Sequence, residues 1–270
     1  MSLRTFLFVF TAAALVPAIR AAAPAGWSLV WADEFDQGAQ PDPKKWDYDV
    51  GGHGWGNREL QFYTRARPEN ARIEDGHLVI EARREPWQGK DYTSARLATK
   101  GRADWTYGRF EIRAKLPAAR GTWPAIWMLP TQWDLGNHQW PDVGEIDIME
   151  HVGYEPGRIH GSTHSRKHQW RNHNQRTAIV EVPDATTTFH TYAMEWDAEE
   201  IRMWVDDRLY FTSRKDGGDW TVWPFFRPFH LVLNLAVGGD WGGVQGVDAG
   251  AFPQRMEVDY VRVYQRASQP

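Results

Sequence analysis

The stretch Gly144-Glu145-Ile146-Asp147-Ile148-Met149-Glu150-His151 places three carboxylates within six residues of a segment whose Ile-x-Ile pattern otherwise asks for a β-strand. Side chains alternate faces along a strand, so Glu145 and Asp147 share one face while Ile146 and Ile148 point into a core. Glu150 then falls out of phase. One extra residue near Ile148 or Met149 would form a β-bulge, turn the strand and return Glu150 to the face of Glu145. Three acids on one floor are costly unless chemistry uses them. The step from Glu145 to Glu150, shortened by a bulge, suits two carboxyl groups about 5–5.5 Å apart, the separation a retaining glycosidase requires.

The rest of the chain repeats the period of two. Phe110, Ile112, Ala114 and Leu116 alternate with Arg109, Glu111, Arg113 and Lys115, a half-buried strand with one wet face. Leu231, Leu233 and Leu235 alternate with Val232, Asn234 and Ala236; Ile201, Met203 and Val205 repeat the pattern, as do Val258 and Tyr260. Turn signals at Asp75-Gly76, Lys100-Gly101, Asp206-Asp207, Gly217-Gly218 and Gly238-Gly239 separate these runs. No long stretch holds a 3.6-residue period, no Ser/Pro-rich linker divides the chain, and no internal repeat is present. The expectation is an all-β sandwich of two packed antiparallel sheets, one curved into a groove with the acids on its concave face. In Trp123-Pro124-Ala125-Ile126-Trp127-Met128-Leu129 the two Trp share a face opposite Ile126 and Met128, which gives two aromatic platforms or two core fillers.

Composition narrows the function. Sixteen Trp in 270 residues, with 24 Gly and 16 Pro, point to many turns and many flat aromatic faces. A pyranose shows an apolar C–H face that stacks on such surfaces while its hydroxyls need polar partners. About half of the Trp are expected in the core, because buried aromatics carry much of any β core. A net charge of −4 offers no basic stripe, so nucleic acid is not an expected partner. Arg4, the apolar run Phe6 to Ile19 and Ala21-Ala22-Ala23-Pro24-Ala25 read as a secretory signal over residues 1–25, too short to span a membrane and cut after Ala23 or Ala25. Residues 26–270 then form one catalytic domain. With no Cys, disulfides and Cys-linked lipid are excluded.

These residues resemble glycoside hydrolase family 16, and within it the laminarinase-like endo-β-1,3-glucanases. The resemblance runs through Trp31-Ala32-Asp33-Glu34-Phe35, Trp55-Gly56-Asn57-Arg58-Glu59-Leu60-Gln61-Phe62-Tyr63-Thr64, Tyr107-Gly108-Arg109-Phe110-Glu111 and Gly121 to Pro130. It continues through Asn234-Leu235-Ala236-Val237-Gly238-Gly239 and Val258 to Tyr264. It implies a β-jelly-roll sandwich with an open cleft and a mechanism that retains anomeric configuration, with no cofactor in the chemical step. Carried over by position, Glu145 is the nucleophile, Glu150 the general acid/base and Asp147 the residue between them. The resemblance also implies that Asn57 and Arg58 bond sugar hydroxyls on the glycone side and that Trp123 and Trp127 stack near the cleavage point. It makes His164 a cleft histidine; Trp241 is a candidate for the cleft rim. Family members with the bulged Glu-x-Asp-x-x-Glu pattern include β-1,3-glucanases, whereas the unbulged form marks enzymes cutting mixed-linkage glucan. A laminarin-type β-glucan is therefore the expected substrate, with mixed-linkage glucan secondary.

The same resemblance implies a structural calcium ion on the convex face held by Glu34, the Gly76 carbonyl and Asp259, an oxygen-only set that suits calcium. His160, His164 and His168 repeat every four residues, but Gly161-Ser162-Thr163 argue against a helix that would align them on a metal, and solvated loop histidines are expected instead. His151 is expected to support the bulge. The polar run Arg171 to Arg176 reads as a loop that could border the cleft, and the tail Arg266 to Pro270 as frayed. The other readings are a transglycosylase with the same residues and a non-catalytic carbohydrate-binding module. A module gains nothing from carboxylates held close together, where repulsion raises a pKa. A monomer is expected for a cleft enzyme acting on a long polymer.

Overall fold

A computed structural model describes residues 23–266; the expected secretory segment, apart from its last three residues, and the tail beyond Arg266 lie outside the described residues. The strands are β1 (Trp27–Asp33), β2 (Asp47–Tyr48), β3 (Gln61–Tyr63), β4 (Ala71–Glu74), β5 (His77–Trp87), β6 (Lys90–Ser94), β7 (Arg96–Ala98), β8 (Gly108–Lys115) and β9 (Thr122–Pro130). They continue with β10 (Glu145–Glu150), β11 (Arg158–His164), β12 (Arg176–Glu181), β13 (His190–Trp196), β14 (Glu200–Val205), β15 (Arg208–Arg214), β16 (Phe229–Val237) and β17 (Gln254–Arg266). Among the described residues the only helical segments are two 3₁₀ turns, Trp170–Asn172 and Ala249–Ala251.

Two sheets pack face to face, as the alternation predicts. Seven strands run in the order β12-β11-β10-β9-β16-β7-β2, and ten form the other sheet along β15-β14-β13-β8-β17-β5-β6-β3, with β1 on β17 and β4 on β5. Pairing is antiparallel except for β3 on β6, which is parallel. Strand β8 buries every second residue, so Phe110, Ile112 and Ala114 enter the core while Arg109, Glu111 and Arg113 stay on the outer face. On β16 every residue is buried. Leu231, Leu233 and Leu235 face the core, and His230, Asn234 and Ala236 line a cleft on the far side. Each fully buried Leu of this kind contributes roughly 1.5–3 kcal/mol of burial.

The period of two fails at one place where the sequence suggested it would hold. On β17 Met256 and Val258 are buried, but the next buried residues are Val261 and Val263, because the register against β8 shifts between Val258 and Tyr260. Tyr260 is therefore half-exposed rather than a core partner of Val258. The extra residue, Asp259, bends the longest strand of the molecule and re-aims its side chains.

Candidate active site

The outer face of the seven-stranded sheet forms a cleft of about 430 Å³. Its floor follows from strand parity. Strand β9 sends Ile126 and Met128 into the core and Trp123, Ala125, Trp127 and Leu129 into the cleft. Strand β10 sends Ile146, Ile148 and Met149 into the core and Glu145, Asp147 and Glu150 into the cleft. Two consecutive core-facing residues require a bulge, and the ladder contains one. Against β9, Asp147 faces Trp127 while Met149 faces Ile126, so Ile148 is the residue without an opposite number. Against β11, Asp147 faces Ser162 and Glu150 faces His160. Gly144 enters this strand at φ +87°, with Pro224 where a Cβ would reach 2.8 Å, so the turn into Glu145 admits only glycine.

The three acids are crowded and largely withdrawn from water. Asp147 is 3 % exposed. His164, opposite Glu145 on β11, brings Nε2 to 3.1 Å from Asp147 Oδ2 and 3.9 Å from Glu145 Oε1. The Trp123 indole N–H donates to Glu150 Oε1 at 3.1 Å. Burial, then the charge of Asp147, pushes Glu145 well above the usual carboxylate range, with His164 acting the other way. Burial lifts Asp147 to about 8, and burial followed by the charge of Asp147 lifts Glu150 to about 8. Like charges this close cannot all be present at neutral pH, so the group holds shared protons and ionises in steps. A set of carboxyls divided between a nucleophile and a proton donor has that property.

Asn57 lies in the cleft wall, where its side-chain amide donates to Glu59 Oε1 at 3.3 Å. Trp127 lies on the floor with its N–H donating to Asn234 Oδ1 at 2.7 Å. Trp123 also lines the cleft, but its indole N–H is committed to Glu150. Trp241 packs edge-on against Trp123, with ring centres 5.5 Å apart, and against His160, so it backs Trp123 rather than lining the cleft. Arg58 also stays out of the cleft: its side chain is 86 % exposed and pairs with Asp240 on the surface.

The histidine run divides rather than forming solvated loops. His160 and His164 share one face of β11, with His164 buried, and His168 lies beyond the strand. His151 is fully buried and held neutral, its pKa pushed down to about 4 by burial and then by His160. It touches the neighbouring strand through its backbone N–H, which donates to the Pro124 carbonyl at 3.3 Å.

Several lining residues were given no role by the sequence, and Arg171 reaches the rim as expected of the loop it opens. Arg96 lies with its guanidinium 4.7 Å from the ring centres of both Trp55 and Trp127, and its Nε donates to Asp49. Glu59, raised above its ordinary pKa by burial, accepts from Gln61 and from the Tyr63 hydroxyl, and Asn234 donates to the same hydroxyl. Loops bring Trp133, Trp140, Trp170 and Arg171 to the rim, where Arg171 lies over both Trp140 and Trp170. Six Trp line the cleft (55, 123, 127, 133, 140 and 170), and Trp46, Trp105, Trp196 and Trp223 are buried in the core.

The expected calcium ligands are already engaged. Glu34 takes a two-pronged pair from Arg262 at 3.0 and 2.8 Å, and Asp259 pairs with Arg113 and lies 4.0 Å from His77. Gly76 closes the β4–β5 turn at φ +77°. The oxygen-only chemistry suits calcium, but as arranged both carboxylates serve arginines, so the side chains do not form a cation cage.

Known proteins agree with this geometry. The family model for glycosyl hydrolases family 16 matches residues 58–262. A β-glucanase of Rhodothermus marinus is 60% identical over 243 residues, spanning 88% of this chain and 85% of its own. The X-ray structure of the laminarinase from Rhodothermus marinus superposes with a TM-score of 0.88 at 59% identity, covering 90% of this chain and 98% of the other. A non-specific endo-β-1,3(4)-glucanase of family 16, crystallised with 1,3-β-D-cellotriosyl-glucose, matches at a TM-score of 0.86 and 47% identity over 90% of this chain and 96% of its own. With the motif, the sheet order and the cleft in accord, the chain belongs to glycosyl hydrolases family 16.

Proposed function

We propose that the chain is a secreted endo-acting hydrolase of β-1,3-glucan that retains anomeric configuration through a glycosyl-enzyme intermediate. The observation that carries the reading is the bulge at Ile148, which puts Glu145 and Glu150 on one cleft floor with Asp147 between them. In the first step a Glu145 carboxylate oxygen bonds to the anomeric carbon as the glycosidic C–O bond breaks, and Glu150 gives its proton to the leaving oxygen. In the second step Glu150, now a carboxylate, takes a proton from water as the water oxygen displaces Glu145. Asp147 shares a proton with Glu145 in the free enzyme and keeps it when Glu145 becomes an ester, while the charge Glu145 loses appears on Glu150 as its proton leaves. Family 16 hydrolases need no catalytic cofactor for these steps.

Residues 26–270 serve this task as one catalytic domain and act as a monomer, and export follows from the N-terminal segment. Among the described residues no helix is long and apolar enough to cross a membrane. Mixed-linkage glucan is the second substrate, supported by the 47% identical endo-β-1,3(4)-glucanase. The test is product analysis on laminarin and lichenan with the anomer followed by NMR. Release of β-configured oligosaccharides from laminarin, lost by at least about 10³-fold in Glu145→Gln, is expected. Initial α-product, or near-full turnover by Glu145→Gln, would overturn the reading.

A structural calcium at Glu34, Gly76 and Asp259 is the lesser part of the proposal. It requires Glu34 and Asp259 to exchange their arginine partners for the ion. A Tm lowered by chelator and restored by added calcium supports it, and an unchanged Tm counts against it.

A further inference from the structure

The bulge that delivers Glu150 is held from the side away from the substrate. Between the pairs Asp147–Ser162 and Glu150–His160, two residues of β10, Ile148 and Met149, face the single residue Gly161 of β11. Into that gap comes a residue of the other sheet: the Tyr210 hydroxyl of β15 donates to the Ile148 carbonyl at 2.8 Å. Gly161 is the reason it fits. A Cβ on Gly161 would stand 2.5 Å from the Tyr210 hydroxyl oxygen and 2.9 Å from Met203 Sδ, closer than atoms pack.

We propose that Tyr210 and Gly161 are a positioning pair: the phenol pins the carbonyl of the bulged residue, Gly161 vacates the space it needs, and together they fix where Glu150 stands relative to the glycosidic oxygen. The inference rests on the reading of Glu150 as acid/base. Tyr210 touches neither substrate nor the reacting atoms; it acts through backbone. A bulge can open or slide more easily than a regular ladder, because its extra residue has no opposite number. A small displacement of a proton donor costs rate without costing binding. The aromatic ring of Tyr210 fills the same volume in a Phe variant, so the hydroxyl alone is tested.

The experiment compares the parent with Tyr210→Phe, Gly161→Ala, the double variant and Glu150→Ala on two substrates. One is laminarin, whose sugar leaving group needs a proton. The other is the 2,4-dinitrophenyl β-glycoside of laminaribiose, whose leaving group does not, followed as the pre-steady-state burst of dinitrophenolate that reports the first step alone. Tyr210→Phe is expected to lower kcat on laminarin about 10- to 100-fold with KM held within about twofold, and to leave the burst rate within about twofold. Gly161→Ala should reproduce that split, and the double variant should fall no further than the worse single, because both changes release the same contact. Equal losses on both substrates, a loss confined to KM or Tm, or additive losses in the double variant would overturn the pairing while leaving Glu150 in place. Glu150→Ala separates the two ideas. It should keep the burst and lose laminarin turnover, and a burst lost in parallel would remove the acid/base assignment itself.

Discussion

Glu150 illustrates how one residue's surroundings set its chemistry. A carboxyl lifted from 4.5 to about 8 by burial binds its proton more tightly in the folded chain than in the unfolded one. Between those pH values the folded state holds more protons, so stability falls as pH rises through that window and the penalty is complete above about 8. Glu150→Gln removes the titration. It is expected to melt several degrees above the parent at pH 9 and no higher at pH 4, measured by calorimetry; a lower Tm at pH 9 would mean that the Trp123 hydrogen bond outweighs burial. The same proton governs rate, so kcat/KM on laminarin should fall on the alkaline side as Glu150 loses it near pH 8. At this scale the acids were legible because carboxylates in a strand have few bland explanations. Arg96 was not, because an isolated arginine gains meaning only from the two indoles that flank it in space.

At the scale of the element, the bulge decides the site. The sequence located the extra residue only to Ile148 or Met149, since both are apolar and either can be the one without an opposite number. Pairing with β9 resolved it to Ile148. Deleting Met149 restores plain alternation, Glu-x-Asp-x-Glu, in which Glu150 takes the next cleft-facing place one residue closer to Glu145. The variant is expected to fold, to lose laminarin turnover, and to shift the ratio of lichenan to laminarin activity upward. An unchanged ratio would separate the bulge from substrate choice. The bulge at Asp259 went unread because Val258 and Tyr260 alternate as well as any strand pair does. Only the ladder against β8 shows the phase slipping between them.

Over the whole molecule, the cleft is walled by segments far apart in the chain: Trp55 before β3, Trp140 before β10, and Trp170 with Arg171 before β12. An open groove of this kind admits the middle of a polymer, so viscosity of a β-1,3-glucan solution should drop before reducing ends accumulate. Loss of single sugars from the start, with viscosity held, would mean end-wise attack. Trp170 is 42 % exposed at the rim, where it can meet sugar without supporting the core. Trp170→Ala should raise KM for laminarin about threefold to tenfold with kcat and Tm kept, and an unchanged KM would assign the rim a different task.

The sequence by itself determined the all-β class, the two-faced strands and the three acids, because alternation is a local property that survives any arrangement of the strands around it. Side-chain partners depended on tertiary structure. Arg58 follows Asn57 directly, yet the first reaches Asp240 on the surface and the second reaches the cleft. Glu34 and Asp259 read as cation ligands, and only packing shows that Arg262 and Arg113 lie beside them and that an ion would have to displace both. Tyr210, 62 residues beyond the bulged Ile148 it holds, had no signal at all in the order of residues, since a phenol and a carbonyl on opposite sheets become neighbours only when the sandwich closes.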